Sequence, residues 1–142
     1  MHLTKKPGKP MNDTEKRGKE IALAYERERI QKSMGEAEAG NVREVGEGGG
    51  YEIVSPDGRT IEVKAAEHSH ANHGFVLNSE QEMNHLQKGG FIYRITDVFG
   101  KSPHINILSK EHLDITRRFR ADVRIRRDSN HEVVVVEQEN IE

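Results

Sequence analysis

Four glycines in the five residues from Gly46 to Gly50, interrupted only by Glu47, divide this chain into two parts with different periodicities. A segment so poor in Cβ atoms supports neither a helix nor a strand. Before it, Ile21, Leu23, Ala24, Ile30 and Met34 form a partial 3.6-residue stripe in a Glu-, Arg- and Lys-rich segment. That spacing predicts a helix over Thr14–Met34, with Asp13 or Thr14 as N-cap and Gly35 as stop. Glu36–Asn41 reads as a loop and Val42–Val45 as a short strand. After the glycines the period becomes two. Tyr51–Val54, a Ser-Pro-Asp-Gly-Arg turn and Thr60–Ala65 read as strand, turn, strand.

Further on, Glu67–Gly74 is a polar, His-rich loop and Phe75–Leu77 a third strand. Ser79 with Glu82 three residues later makes a capping box that opens a helix to Lys88, closed by Gly89-Gly90. Phe91–Val98 and His104–Leu108 alternate as strands on either side of the Gly100–Pro103 turn. Ala121–Ile125 and Val133–Val136, joined by Arg126–Asn130, read as a terminal hairpin. A helix followed by strands and one intervening helix predicts an α/β or α+β sheet domain.

Composition narrows the function classes. The chain has 142 residues, one domain's worth, of which 33% are hydrophobic and 32% charged. So lean a chain is expected to leave part of itself outside any core. Met1–Asp13, with three lysines, Pro7, Gly8 and Pro10, reads as that part, a disordered basic tail without the apolar centre of a secretory signal. No Cys is present, which excludes a disulfide scaffold, a thiolate zinc site and a thiol nucleophile. No apolar run approaches the ~20 residues of a membrane span. A cytoplasmic protein without a membrane partner is expected. The formal charge of -2 advertises no polyanion by itself.

Chemistry is concentrated at Glu62-Val63-Lys64. On a strand, residues two apart share a face, so Glu62 and Lys64 point together while Ile61, Val63 and Ala65 enter the core. If the hairpin pairs residues of equal parity, Glu52 lies opposite or diagonal to them. Strands are about 4.8 Å apart, close enough for two carboxylates to share one hard cation. Mg²⁺ (or Mn²⁺) is held by one or two carboxylates plus water and substrate phosphate, and an ammonium beside it positions water or offsets phosphoryl charge. A third carboxylate from the first helix, Glu20 or Glu26, would complete the shell. A charge-complementary surface strand has the same pattern.

Gly50-Tyr51-Glu52-Ile53 followed by Ile61-Glu62-Val63-Lys64 resembles the core of the PD-(D/E)XK nuclease superfamily. The nearest likeness is to the domain at the C-terminus of the No Vein protein, also found in bacterial defence-associated proteins. Gly18-Lys19-Glu20 and Tyr25-Glu26-Arg27 match its helix, and Phe75–Glu80 and Phe91–Arg94 its later strands and helix, so the likeness covers Thr14–Leu108. It implies a restriction-endonuclease-like α/β core over residues 14–113, a central mixed sheet flanked by helices, followed by a 114–142 extension. It also implies Mg²⁺-dependent phosphodiester hydrolysis, with Glu52, Glu62 and Glu20 on the metal and Lys64 and Glu26 joining them in catalysis. The expected substrate is nucleic acid, DNA ahead of RNA, cut by a homodimer or within a larger defence or processing complex. Glu52 stands where the family carries Asp. That departure supports an alternative, a catalytically decayed module of the same fold that binds nucleic acid or a partner protein.

Two further groups keep open readings. Glu67, His68, His70 and His73 offer transition-metal ligands, or a polar surface loop. Arg117, Arg118, Arg120, Arg124 and Arg126, with Phe119 among them, are the candidate nucleic-acid contacts, and Arg94 and Lys101 could extend their groove, although nothing in the sequence places them there. A ladder against the Glu-rich strand that follows would neutralise them internally.

Overall fold

The computed structural model describes residues 10–46, 48–68, 74–117 and 121–138. The elements run α1 (Pro10–Met34), α2 (Glu36–Ala39), β1 (Arg43–Glu44), β2 (Ile53–Val54), β3 (Thr60–Ala65), β4 (Gly74–Leu77) and α3 (Glu80–Gln87). Then follow β5 (Phe91–Thr96), β6 (His104–Leu108), a 3₁₀ turn (Lys110–His112), β7 (Leu113–Arg117), β8 (Ala121–Ile125) and β9 (Glu132–Val135). Six strands form a mixed sheet in the order β1-β2-β3-β5-β6-β9, and three form a second sheet in the order β4-β8-β7. Within the large sheet only β3 and β5 are parallel, and β4 with α3 supplies the crossover that parallel neighbours need. The class is therefore α/β with a mixed sheet.

Both faces of the large sheet are covered. On one face α1 packs Ile21, Ala22, Leu23 and Ile30 against Ile53, Ile61, Val63, Tyr93, Ile95, Ile105 and Ile107. On the other, Met83 and Leu86 of α3 join Leu77, Ile92, Leu108, Leu113, Ala121, Val123 and Ile125. The β3 alternation works as the sequence predicts: Ile61 and Val63 enter the first core, and Glu62 and Lys64 share the opposite face. Among the described residues no helix is long and apolar enough to cross a membrane.

Four expectations change. Helix α1 already begins at Pro10, because proline is tolerated in a helix's first turn, so 10–13 are helical and only 1–9 of the proposed tail lie outside the described residues. Glu36–Ala39, expected as loop, is one turn of helix built from good helix formers. Leu113–Arg117 is a strand that the sequence reading did not identify. The terminal hairpin is not formed between Ala121–Ile125 and the valine stretch. β8 pairs with β7 and β4, whereas β9 adds to β6. The reason lies in the packing: Val134 and Val136 face the first core, Val123 and Ile125 the second, on opposite sides of the large sheet. Residues 114–142, expected as an extension, thus contribute strands to both sheets.

Gly18 sets how closely α1 approaches β3. A Cβ placed there would lie 2.5 Å from Ala65 Cβ and 3.5 Å from a Val63 methyl. Gly18→Val is expected to destabilise the fold by about 1–3 kcal/mol in urea unfolding, although helix propensity alone favours the change. In an Ala65→Gly background the penalty should shrink, since the obstructing atom is then gone.

Candidate functional site

Strand β3 outruns its neighbour. β2 begins only at Ile53, opposite Ile61, and beyond Ile61 no strand among the described residues pairs with β3 on that side. Glu52 lies in a bend at this split. Its N–H donates to Ile61 O at 2.8 Å and its carbonyl accepts from Val45 N–H at 2.9 Å. Its carboxylate Oε2 then accepts the Val63 N–H at 3.3 Å, standing in for the ladder carbonyl that β2 no longer provides. Tyr51 and Glu52, read from the alternation as strand residues, are thus outside β2 and turn toward the split.

The glycine run shapes the wall of this region. Gly50 has φ +83°, and a Cβ on it would overlap the Gln81 carbonyl at the start of α3. Glycine alone lets the chain turn here and approach α3 so closely. A cleft of about 970 Å³ results, at the upper end of the range for small-molecule sites. Its lining includes Glu20, Glu52, Glu62, Lys64, Glu82 and Arg94.

Glu62 is the buried acid of the cleft, its side chain only 9% exposed. Burial pushes its carboxyl up to about 8, helped by the negative charges of Glu52 and Glu82 and opposed by Lys64. The Lys64 ammonium sits 3.5 Å from Glu62 Oε2 and 2.9 Å from Glu82 Oε1. From α1, Lys19 Nζ lies 3.3 Å from Glu52 Oε1 and 3.8 Å from Glu44. Glu44, Glu52, Glu62 and Glu82 thus share two ammonium groups, and burial first, then the neighbouring negative charge, raises Glu62's proton affinity.

The two helix acids separate. Glu20 lines the cleft, half-exposed and 2.8 Å from Arg17. Glu26 is fully buried elsewhere: it accepts from Ser55 Oγ at 2.5 Å, from Tyr93 OH, and from Arg29 Nε and Nη2 at 3.0 and 2.7 Å. Six residues rotate a helix by ~600° and advance it ~9 Å, so the two side chains leave α1 in different directions. Of the proposed set, the structure brings Glu52, Glu62, Lys64 and Glu20 to one cleft and places Glu26 in a separate network.

Glu82 was hidden by its capping role. Ser79 Oγ accepts the Glu82 N–H at 3.2 Å, as a capping box requires, but the Glu82 carboxylate takes the Asn78 N–H at 2.9 Å and Lys64. No sequence signal distinguishes a capping glutamate that also reaches a strand. Of the two residues that could extend a basic groove, Arg94 lines this cleft and Lys101 does not. The parallel register sets Arg94 beside Lys64 on the same face.

Of the arginine cluster, Arg124 and Arg126 do not line the cleft. Arg118 and Arg120 lie outside the described residues, and only the backbone of Arg117 is described. Arg124 is exposed on β8, with Asp114 and Gly74 as its cross-strand neighbours, and Arg126, also exposed, pairs with Asp128 at 3.6 Å. The neutralising ladder against the Glu-rich strand is not formed, because β9 pairs with β6. In the histidine loop, His70 and His73 lie outside the described residues, and His68 is exposed beside Glu67 at 3.9 Å.

Among the described residues no three His, Asp or Glu side chains close on one point as an all-protein metal cage would. Glu52 and Glu62 still supply two oxygen-donor groups in an anionic cleft, which suits Mg²⁺ with its water-rich shell. No protein-family model, curated protein or solved structure matches this chain, so the chemistry of this cleft is the ground on which a function is argued.

Proposed function

We propose that the protein is a cytoplasmic, Mg²⁺- or Mn²⁺-dependent endonuclease with a restriction-endonuclease-like core, hydrolysing phosphodiester bonds of nucleic acid, DNA ahead of RNA. The observation that carries this reading is the meeting of Glu52, Glu62 and Lys64 where β2 leaves β3, with Glu62 buried in an excess of negative charge. The parallel β3–β5 pair, with α1 on one face and α3 on the other, agrees with such a core.

In this reading Glu52 and Glu62 hold the ion, and Glu20 reaches it by turning away from Arg17. The bound ion supplies Lewis acidity at the phosphoryl oxygen and a more acidic water. Lys64 orients the attacking water and offsets charge that builds on the phosphate, and Glu82 holds the Lys64 ammonium in place. Lys19 is the cationic partner of Glu52, at 3.3 Å.

A second reading is favoured by one observation: Lys19 and Lys64 already give Glu52 and Glu62 cationic partners. That charge balance fits a decayed module of the same fold that binds nucleic acid or a partner protein. Incubation with plasmid and single-stranded DNA, with Mg²⁺ or Mn²⁺, tests the first reading. Lys64→Ala is expected to slow cleavage about 10²–10³-fold. Nicking that survives Lys64→Ala would rule out the proposed centre, and a melting temperature indifferent to Mn²⁺ would favour the decayed module.

A further inference from the structure

Arg94 stands out among the described arginines as a buried cation without an acid. It is 8% exposed, on β5, at the register position of Lys64. Arg29, by comparison, is held by Glu26 and Asp57. Among the described residues the Arg94 guanidinium donates only to two backbone carbonyls, from Nη1 to Lys64 O at 3.4 Å and from Nη2 to Gly74 O at 3.2 Å. It lies 5.4 Å from the centre of the Phe75 ring, and its buried Nε–H has no hydrogen-bond partner among those residues. Burial alone acts on it, lowering its proton affinity with no carboxylate to restore it.

Buried charges are ordinarily paired, and a guanidinium fork matches the oxygens of a phosphoryl group. Arg94 lines the same cleft as Glu62 and Lys64, next to Lys64 across the sheet. The carboxylates of Glu62 and Glu82 are taken up by Lys64, which leaves Arg94 free to receive an incoming anion. We propose that Arg94 is a phosphoryl-binding residue of the cleft, its unpaired Nε–H donating to an oxygen of a nucleic-acid phosphate. The assignment deepens the nuclease reading and rests on it for the identity of the ligand, but not for the anion seat itself.

The direct probe is the Arg94 Nε–H resonance of the intact protein, followed by NMR as inorganic phosphate is titrated in the presence of Mg²⁺. A saturable shift of that resonance is expected, and Arg94→Gln should weaken phosphate binding roughly tenfold or more, with Arg94→Lys intermediate. Parallel titrations with 5′-phosphorylated and 5′-hydroxyl oligothymidylate distinguish a terminal monoester from an internal diester; Arg94-dependent binding of either supports the seat. A resonance that stays still at saturating phosphate overturns the proposal, even if Arg94→Gln fails to fold. So does phosphate affinity that Arg94→Gln leaves unchanged. Cleavage assays separate the two ideas. Arg94-dependent phosphate binding without any hydrolysis would sink the nuclease reading alone, and metal-dependent hydrolysis with an unresponsive Arg94 would sink the phosphate seat alone.

Discussion

Glu26→Ala is expected to cost about 3–5 kcal/mol of stability, enough to unfold much of a protein whose total is typically about 5–15 kcal/mol. The carboxylate is completely buried and is the common acceptor for Ser55 Oγ, Tyr93 OH and two nitrogens of Arg29, with Arg59 Nη1 at 3.9 Å. Arg59 donates to Tyr93 OH at 2.7 Å, and Arg29 continues to Asp57 at 2.8 Å. Burial, and then the Glu26 charge and hydrogen bond, push the Tyr93 hydroxyl well above its ordinary range. Burial opposes the Arg29 charge, and hydrogen bonds to Glu26 and Asp57 outweigh it. Deleting the carboxylate strands the Ser55 and Tyr93 hydroxyls in the interior and removes one of the two acids that hold Arg29, which is why the penalty exceeds that of an ordinary hydrogen bond. Glu20→Ala, half-exposed and paired only with Arg17, should change stability by about 0–1 kcal/mol. Urea unfolding of the two variants, alongside cleavage assays of Glu20→Ala, shows which helix acid supports the fold and which serves the cleft. Equal, small losses for both variants would refute the separation.

How much of this was legible in the sequence differs from residue to residue. The β3 face assignment follows from local geometry, because a strand's period of two fixes which side Glu62 and Lys64 take whatever its neighbours are. Ser79 as a helix cap is likewise local. Partner choice is not. Ala121–Ile125 and the valine stretch follow one another in sequence, the first apolar on alternate positions and the second apolar throughout. Only the two cores on opposite sides of the sheet decide that the first joins β4 and β7 and the second joins β6. Glu52 shows the same limit at a single residue: the alternation runs through it, but the strand starts only one residue later, at Ile53, and the carboxylate is left to cap a free edge. Glu20 and Glu26 were equivalent as residue types, and the helix's rotation against the sheet separated them. Arg94 could extend a basic groove on its residue type alone, and only the register beside Lys64 and the cover of the second sheet's Phe75 place it, buried, in the cleft.

Glu62→Gln is expected to move activity and stability in opposite directions. In the folded protein the Glu62 carboxyl titrates at about 8, against an ordinary 4.5, because of burial and the charges of Glu52 and Glu82, with Lys64 opposing. Between those values the native state binds more protons than the unfolded chain, so unfolding free energy falls as pH rises. The metal-free protein is therefore most stable with respect to this group below about 4.5, and loses that contribution as pH climbs through about 8. The loss is on the order of a few kcal/mol. Glutamine keeps the shape without the charge, so Glu62→Gln should flatten this decline and melt higher than the wild type at alkaline pH. Added Mg²⁺ should raise the wild-type melting temperature most where Glu62 is ionised, since a ligand must be deprotonated to bind, and should leave Glu62→Gln unmoved. Cleavage by the variant should fall by about 10³-fold or more, the scale of several kcal/mol of transition-state stabilisation. A Glu62 that served only the fold would give a variant that is less stable or unchanged at alkaline pH and as active as the wild type. Burying an acid among other acids is a cost that a purely structural residue has no reason to retain, and the two measurements together show whether a cation repays it.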